Sequence, residues 1–420
     1  MFSEYFTRNY LWGAIQMSKS FDPRYVLRQV SNELLEDLLE GQSQTVDVPW
    51  SELKETQIEP IFSAWQSMPI EPRRAIELIL RDVFSMANDH GVRAIMEEAN
   101  RQGNTSLLDD LAGDVSRFDI AMRTCLQADA VWSVASQFAK ADEVSGGRYW
   151  IRRTNVPEGT LNVEPDNVIV LQKAIAAFYQ AGQGRGRQCV IEHLIRADGS
   201  HYFFAYLDDY TDTYLKVVES GKFARVCETH AFQVLFVMSA DLKTLDMFVH
   251  GGKQVYEPLQ QIFTRVILSI ELPPEDPELH PYALGVLLDP KFSFPTDPAD
   301  GILSVEVVSA NVRAKGGSQR RIVLKPDQQL GPCDFQSMID EWVNTENVPR
   351  SIMHMYGITL RFNFDRSDPE LPSKMQFSIS CPNRCSLKNL PDDQREIGER
   401  YLKFWGIDRA VDSEVAVSAD

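Results

Sequence analysis

The hydrophobic rhythm of this chain changes near residue 185, and that change limits what it can fold into. Upstream, apolar residues recur every three or four positions, the period of helices with one buried face. Downstream they alternate, most cleanly in Ile358-Thr359-Leu360-Arg361-Phe362-Asn363-Phe364, the period of a strand with one face in a core. The expected class is α+β: an N-terminal all-helical domain followed by a mostly antiparallel sheet domain with packed helices.

Local signals divide the chain further. Asp22-Pro23 opens a helix, because Asp accepts hydrogen bonds from free amides and Pro fits the first turn. Leu27, Val30, Leu34, Leu35, Leu38 and Leu39 form its stripe, closed by Gly41. Helices are also predicted at 51–67, 71–89, 91–101 and 115–141, making residues 1–145 a helical bundle. Residues 146–188 form a linker with a lead-in helix at 167–180. Residues 189–407 are read as hairpins with packed helices, and 408–420 as a frayed acidic tail. The Asp198-Gly199 pair predicts a two-residue turn that sets Ile195 against Tyr202 and His193 against Phe204. Later hairpins join 232–238 to 245–249 and 303–312 to 321–324, the latter with Gly316-Gly317 at its tip. The proline-rich stretch 271–300 is given one short strand, 282–288.

Composition narrows the function classes. The net charge is −18 over 420 residues, and −10 of it has accumulated by Glu143. Such a surface repels phosphate backbones, so nucleic-acid binding needs a local basic patch. Six scattered cysteines do not make a disulfide framework, in keeping with a reducing compartment. The opening residues carry Glu4 and Arg8 among aromatics, unlike a secretory signal. The longest uncharged run, Thr229–Ala240, falls short of the roughly 20 residues that span a bilayer. A cytoplasmic protein without membrane segments is the expectation.

The basic hairpin is the leading candidate site. Arg313, Lys315, Arg320, Arg321 and Lys325 flank Gly316-Gly317 in an otherwise acidic chain. Cations on two strands beside a flexible tip can line a phosphate backbone or an acidic protein surface. Edge protection of an exposed strand is the bland alternative. His250-Gly251-Gly252-Lys253 runs from strand to helix, the polarity that lets backbone amides meet an anion. An esterase loop of that kind would need a Gly-x-Ser-x-Gly elbow, which is absent. The run Gly182–Arg187 leads from helix to strand, the wrong polarity for phosphate. Cys381 and Cys385 form one thiol pair where a zinc site wants two. Glu192, Asp208, Asp209 and Asp212 could hold a metal only if they converge.

No cofactor or metal is implied, and no catalytic constellation stands out. The expected function is a non-catalytic binding or assembly protein, a component of a multi-protein complex. It would use the aromatic opening segment (Phe2, Tyr5, Phe6, Tyr10, Leu11, Trp12, Ile15) for a protein partner. The basic hairpin would meet an acidic protein or nucleic acid. The competing expectation is a metal-dependent phosphoesterase or nuclease using the acids between 192 and 212.

Overall fold

The computed structural model describes residues 21–41, 47–114, 116–145, 147, 149–154, 156–217, 221–274, 282–314, 321–326, 335–344, 346, 348–365, 372–381 and 384–408. Among them are 12 helices and two antiparallel five-stranded sheets, an α+β fold with a helical N-terminal region. None of these helices is long and apolar enough to cross a membrane. The chain forms two compact units, one from 1–143 with 172–235 and one from 144–171 with 236–420.

The first unit begins with helices α1 (Pro23–Leu27), α2 (Asn32–Glu40), α3 (Glu59–Ser67), α4 (Ile70–Met86), α5 (Asp89–Arg101) and α6 (Thr105–Leu111). They are followed by α7 (Arg117–Gln127) and α8 (Asp129–Val144). Side-chain caps start several of them: Asp22 accepts from Arg24 N, Asn88 from Gly91 N and Ser116 from Phe118 N. The predicted helix over 115–141 is broken at Ala128, where φ −139° and ψ 64° leave the helical region. That break resets the phase between Cys125 and Val131, so both face the core. Gly91 is required by packing, since a Cβ there would lie 2.0 Å from the Met86 carbonyl oxygen.

After β1 (Trp150–Arg153) and α9 (Pro165–Gln183) come β2 (Cys189–Ile195), β3 (His201–Val217), β4 (Phe223–Met238) and β5 (Leu245–Phe248). They form a sheet in the order β1-β5-β4-β3-β2, and the division between units falls within β4. The β2–β3 register corrects the sequence expectation by one residue: Ile195 faces His201, and His193 faces Phe203. The cause is a three-residue loop. Arg196 N donates to Ser200 O, Ser200 N to the Asp198 carboxylate, and Gly199 sits at φ +82°. A left-handed glycine at the end of such a loop is the commonest alternative to the two-residue turn. One slipped residue exchanges the faces, which places Glu192, Tyr202, Phe204 and Tyr206 on one side and His193 with His201 and Phe203 on the other.

The second unit adds α10 (Lys253–Phe263), β6 (Ile302–Ala314), β7 (Arg321–Leu324), α11 (Phe335–Trp342), β8 (Met353–Phe364), β9 (Lys374–Ser380), β10 (Arg384–Cys385) and α12 (Asp392–Phe404). Its sheet runs β10-β9-β8-β6-β7. Met355, Ile358, Leu360, Phe362 and Phe364 of β8 all point into one core. Side chains of α11, of α12 and of the 3-10 turn Leu284–Leu288 join the same core. That turn replaces the strand expected at 282–288; Leu284, Leu287 and Leu288 are three and four apart and bury one helical face. Trp405 stacks on Phe362 with ring centroids 5.6 Å apart. Elsewhere in this unit, Arg152 and Asp246 face each other across β1 and β5 and form two 2.7 Å bonds.

Phe362 is 0% exposed at the centre of this core. Phe362→Ala is therefore expected to cost about 3–5 kcal/mol, the range for large-to-small changes at buried aromatic sites. Urea unfolding measures it, and an unchanged midpoint would contradict the packing described.

Candidate functional site

Among the described residues, the second sheet turns one face into the core, while the side chains of its other face are half-buried or exposed and carry charge. Across the strands, the outward residues form rows read directly from the register. Lys374, Asn363 and Ser304 make one row, Gln376, Arg361 and Glu306 the next, then Ser378, Thr359 and Ser309. Further along, Arg384, Ser380, Gly357, Asn311 and Val323 line up, and the last row is His354, Arg313 and Arg321. Among the described residues in these rows, five arginines and lysines and one histidine therefore share the face with a single carboxylate, Glu306. Arg313, Arg321, Lys374 and Arg384 are exposed, and none has an ion-pair partner among the described residues. Arg361 is held by Gln376 and lies 3.9 Å from Glu306.

The hairpin end is the most strongly cationic corner. Arg313 and Arg321 are directly opposed on β6 and β7, an arrangement that costs stability because like charges repel across the ladder. Both guanidinium groups lie by the ring of Tyr356, at 6.0 and 5.6 Å from its centroid. Tyr356 is the extra residue of a bulge, since Asn311 pairs with Gly357 while Val312 pairs with Met355. Bulges re-aim a side chain out of the regular alternation, and here the ring joins the two arginines. Beside it, the middle row is a hydroxyl chain: Ser309 to Thr359 at 3.2 Å and Thr359 to Ser378 at 2.8 Å. Gly357 keeps the neighbouring row, between Ser380 and Asn311, low, as a Cβ would sit 3.0 Å from Asn311 Nδ2. Lys325, just beyond β7, is exposed. Lys315, Arg320 and the Gly316-Gly317 tip lie outside the described residues, as does the aromatic opening segment.

The other candidates resolve into local structure. His250 packs on Tyr149 with centroids 4.0 Å apart, and Lys253 bonds Glu257 at 3.0 Å along α10. Gly251 has φ +135°, and a Cβ there would lie 2.6 Å from Val255, so packing alone requires it. The acids near 192–212 are not brought together. Glu192 accepts from Gln137, Asp208 from Gln188 N, Asp209 from Arg185 and Asp212 from Thr213 N. Among the described residues no group of three His, Cys, Asp or Glu side chains could hold a metal ion. The Gly182–Arg187 run ends α9 and folds Arg185 over Phe232 at 4.0 Å. Cys385 is buried, and burial raises the thiol pKa of both Cys381 and Cys385.

Sequence reasoning missed one buried charge network, in the first unit. Arg196, following β2, donates to Asp142 of α8 at 2.6 and 2.9 Å, to Glu97 of α5 at 2.8 Å and to the Tyr202 hydroxyl at 3.2 Å. Arg93 donates to the same Asp142 at 2.6 Å. The one-residue register correction is what aims Tyr202 at this network. Its only sequence signal was an arginine beside an Asp-Gly turn, which is too common to notice. Comparison with protein-family models, with curated proteins and with solved structures finds no match to this chain.

Two pH effects follow in the first unit. Burial alone would raise the Asp142 pKa, but bonds and charges from Arg196 and Arg93 reverse this and hold it below the ordinary carboxylate value. A depressed acid stabilises the fold above its unfolded pKa and loses that contribution as pH falls through the folded value. Asp142→Ala should cost about 3 kcal/mol at neutral pH, because two arginines lose a shared carboxylate. His193 is pushed down to about 4 by burial and then by His201, whose ring is stacked 5.2 Å away. Here the unfolded chain takes up the proton first, so stability falls as pH drops from 6.5 towards 4. His193→Gln should flatten that part of a stability–pH curve; an unaltered slope would contradict the assignment.

Proposed function

We propose that this chain is a non-catalytic binding or assembly protein that captures a polyanionic partner on the open face of its second sheet. One observation carries the reading: among the described residues of this face, exposed cations collect with one carboxylate among them, in a chain of net charge −18. Directly opposed, Arg313 and Arg321 repel each other, and a bound anion would remove that penalty. The surrounding negative charge adds selectivity in placement, since it repels a polyanion everywhere else.

Retention on immobilised heparin tests this on the full chain. The doubly reversed Arg313→Glu/Arg321→Glu variant should elute at clearly lower salt than the unsubstituted protein. Lys222→Glu/Arg225→Glu, with the same change in net charge at exposed positions in the first unit, should elute nearly where the parent does. Equal shifts for both variants, or no retention of the parent, would overturn the reading.

A further inference from the structure

We infer that the polyanion is a single-stranded nucleic acid, with Tyr356 as the platform on which a base stacks; this rests on the polyanion-binding reading above. Any anion would satisfy the arginines and lysines, so the choice of ligand has to come from what lies between them. Three features of the face point the same way.

The first is the aromatic ring. Tyr356 is the extra residue of a bulge, half-buried on the outward face, with two guanidinium groups within 6.0 Å of its centroid. A ring beside arginine planes offers stacking surfaces for a flat heterocycle, while the same cations reach the phosphates joined to it. An acidic peptide supplies carboxylates but no flat base to fill such a place.

The second is the mixed donor and acceptor character of the middle of the sheet. Ser309, Thr359 and Ser378 form a continuous hydroxyl row, with Asn311, Asn363 and Gln376 beside it. Hydroxyls and amides both donate and accept. Base edges and sugars present both kinds of group, whereas a carboxylate or sulfate only accepts. The carboxylates of an acidic peptide only accept, so a face of donors alone would match its side chains better, leaving only its backbone amides to use the acceptors here.

The third is shape. With strands ~4.8 Å apart and ~3.4 Å per residue along each, the outward face from β9 to β7 is on the order of 15 by 30 Å. Its exposed cations stand at the margins: Arg313 and Arg321 at one corner, Arg384 and Lys374 along the opposite edge. A flexible strand of about four to eight nucleotides can follow that layout, comparable to other single-strand sites. A duplex hides its bases in the stack and cannot offer one to Tyr356 without flipping it out.

Fluorescence anisotropy with labelled homopolymers of about a dozen nucleotides tests the inference on the full chain. Poly-uridine and poly-deoxyuridine are the two single-stranded probes, with a duplex of equal length and poly-glutamate for comparison. Both single strands should bind more tightly than the duplex or poly-glutamate; the stronger of the two tells whether the 2′-hydroxyl is used. Tyr356→Leu, which keeps apolar bulk, should weaken single-strand binding about tenfold while leaving the salt dependence as it was, and Tyr356→Phe should restore it. Arg313→Glu/Arg321→Glu should instead reduce the slope of log affinity against log salt by about 1.4 or more. If poly-glutamate and duplex bind as well as single strands and Tyr356→Leu changes nothing, this inference fails and the polyanion reading survives. If none of the four probes binds, both fail.

Discussion

One-sided burial of the second sheet is the constraint on which its proposed chemistry depends. Six side chains of β8, from Met353 to Phe364, enter the core together with Met375, Phe377 and Ile379 of β9. Each contributes roughly 1.5–3 kcal/mol by leaving water. A register slip of one residue would turn the whole set outward, so the alternation is fixed by many times the energy of any surface interaction. The outward set is fixed with it. Opposing Arg313 to Arg321 costs about 0.2–1 kcal/mol, far too little to disturb the register. Hydrophobic burial thus holds cations in an arrangement that their own electrostatics disfavour, and such an arrangement is relieved by binding an anion.

The first unit solves a different problem with buried charge. The loop after β2 delivers Arg196 to Asp142 and Glu97, which belong to α8 and α5. Buried ion pairs are weak sources of net stability, because desolvation offsets their attraction, but they are specific. The observed register of β2 against β3 places Tyr202 within reach of Arg196. The network is thus satisfied in the hairpin geometry that the Asp198 side chain and Gly199 begin.

Much of this was legible in the sequence, for reasons that also explain what was not. Regular alternation in Ile358–Phe364 announces both faces of β8, so Thr359, Arg361 and Asn363 could be placed outward from the chain alone. Tyr356 could not, because its position depends on a bulge created by pairing with β6. Arg313 and Arg321 were visible as a charge cluster; Lys374 and Arg384, distant in sequence, join them only through the strand order. The distal parts of β3 and β4 escaped notice because Leu215 and Phe223 are 72% and 77% exposed, and a ribbon wet on both faces has no alternating pattern. Asp198-Gly199 marks the turn in the sequence, but the loop is one residue longer than that pair implies, since the bond from Ser200 N to Asp198 is a local geometric choice. That single residue moved His193 and Tyr202 to opposite faces.

Hydroxyl-radical footprinting with and without a saturating single-stranded oligonucleotide is the most direct measurement. Modification of side chains read by mass spectrometry reports which surface the ligand covers. Protection is expected at Tyr356 and His354 and at residues of β9 on the same face, with Tyr210 and Tyr214 of the first unit modified as before. Undiminished modification of Tyr356, with protection at the first unit instead, would contradict the claim that the cationic sheet face is where this protein binds.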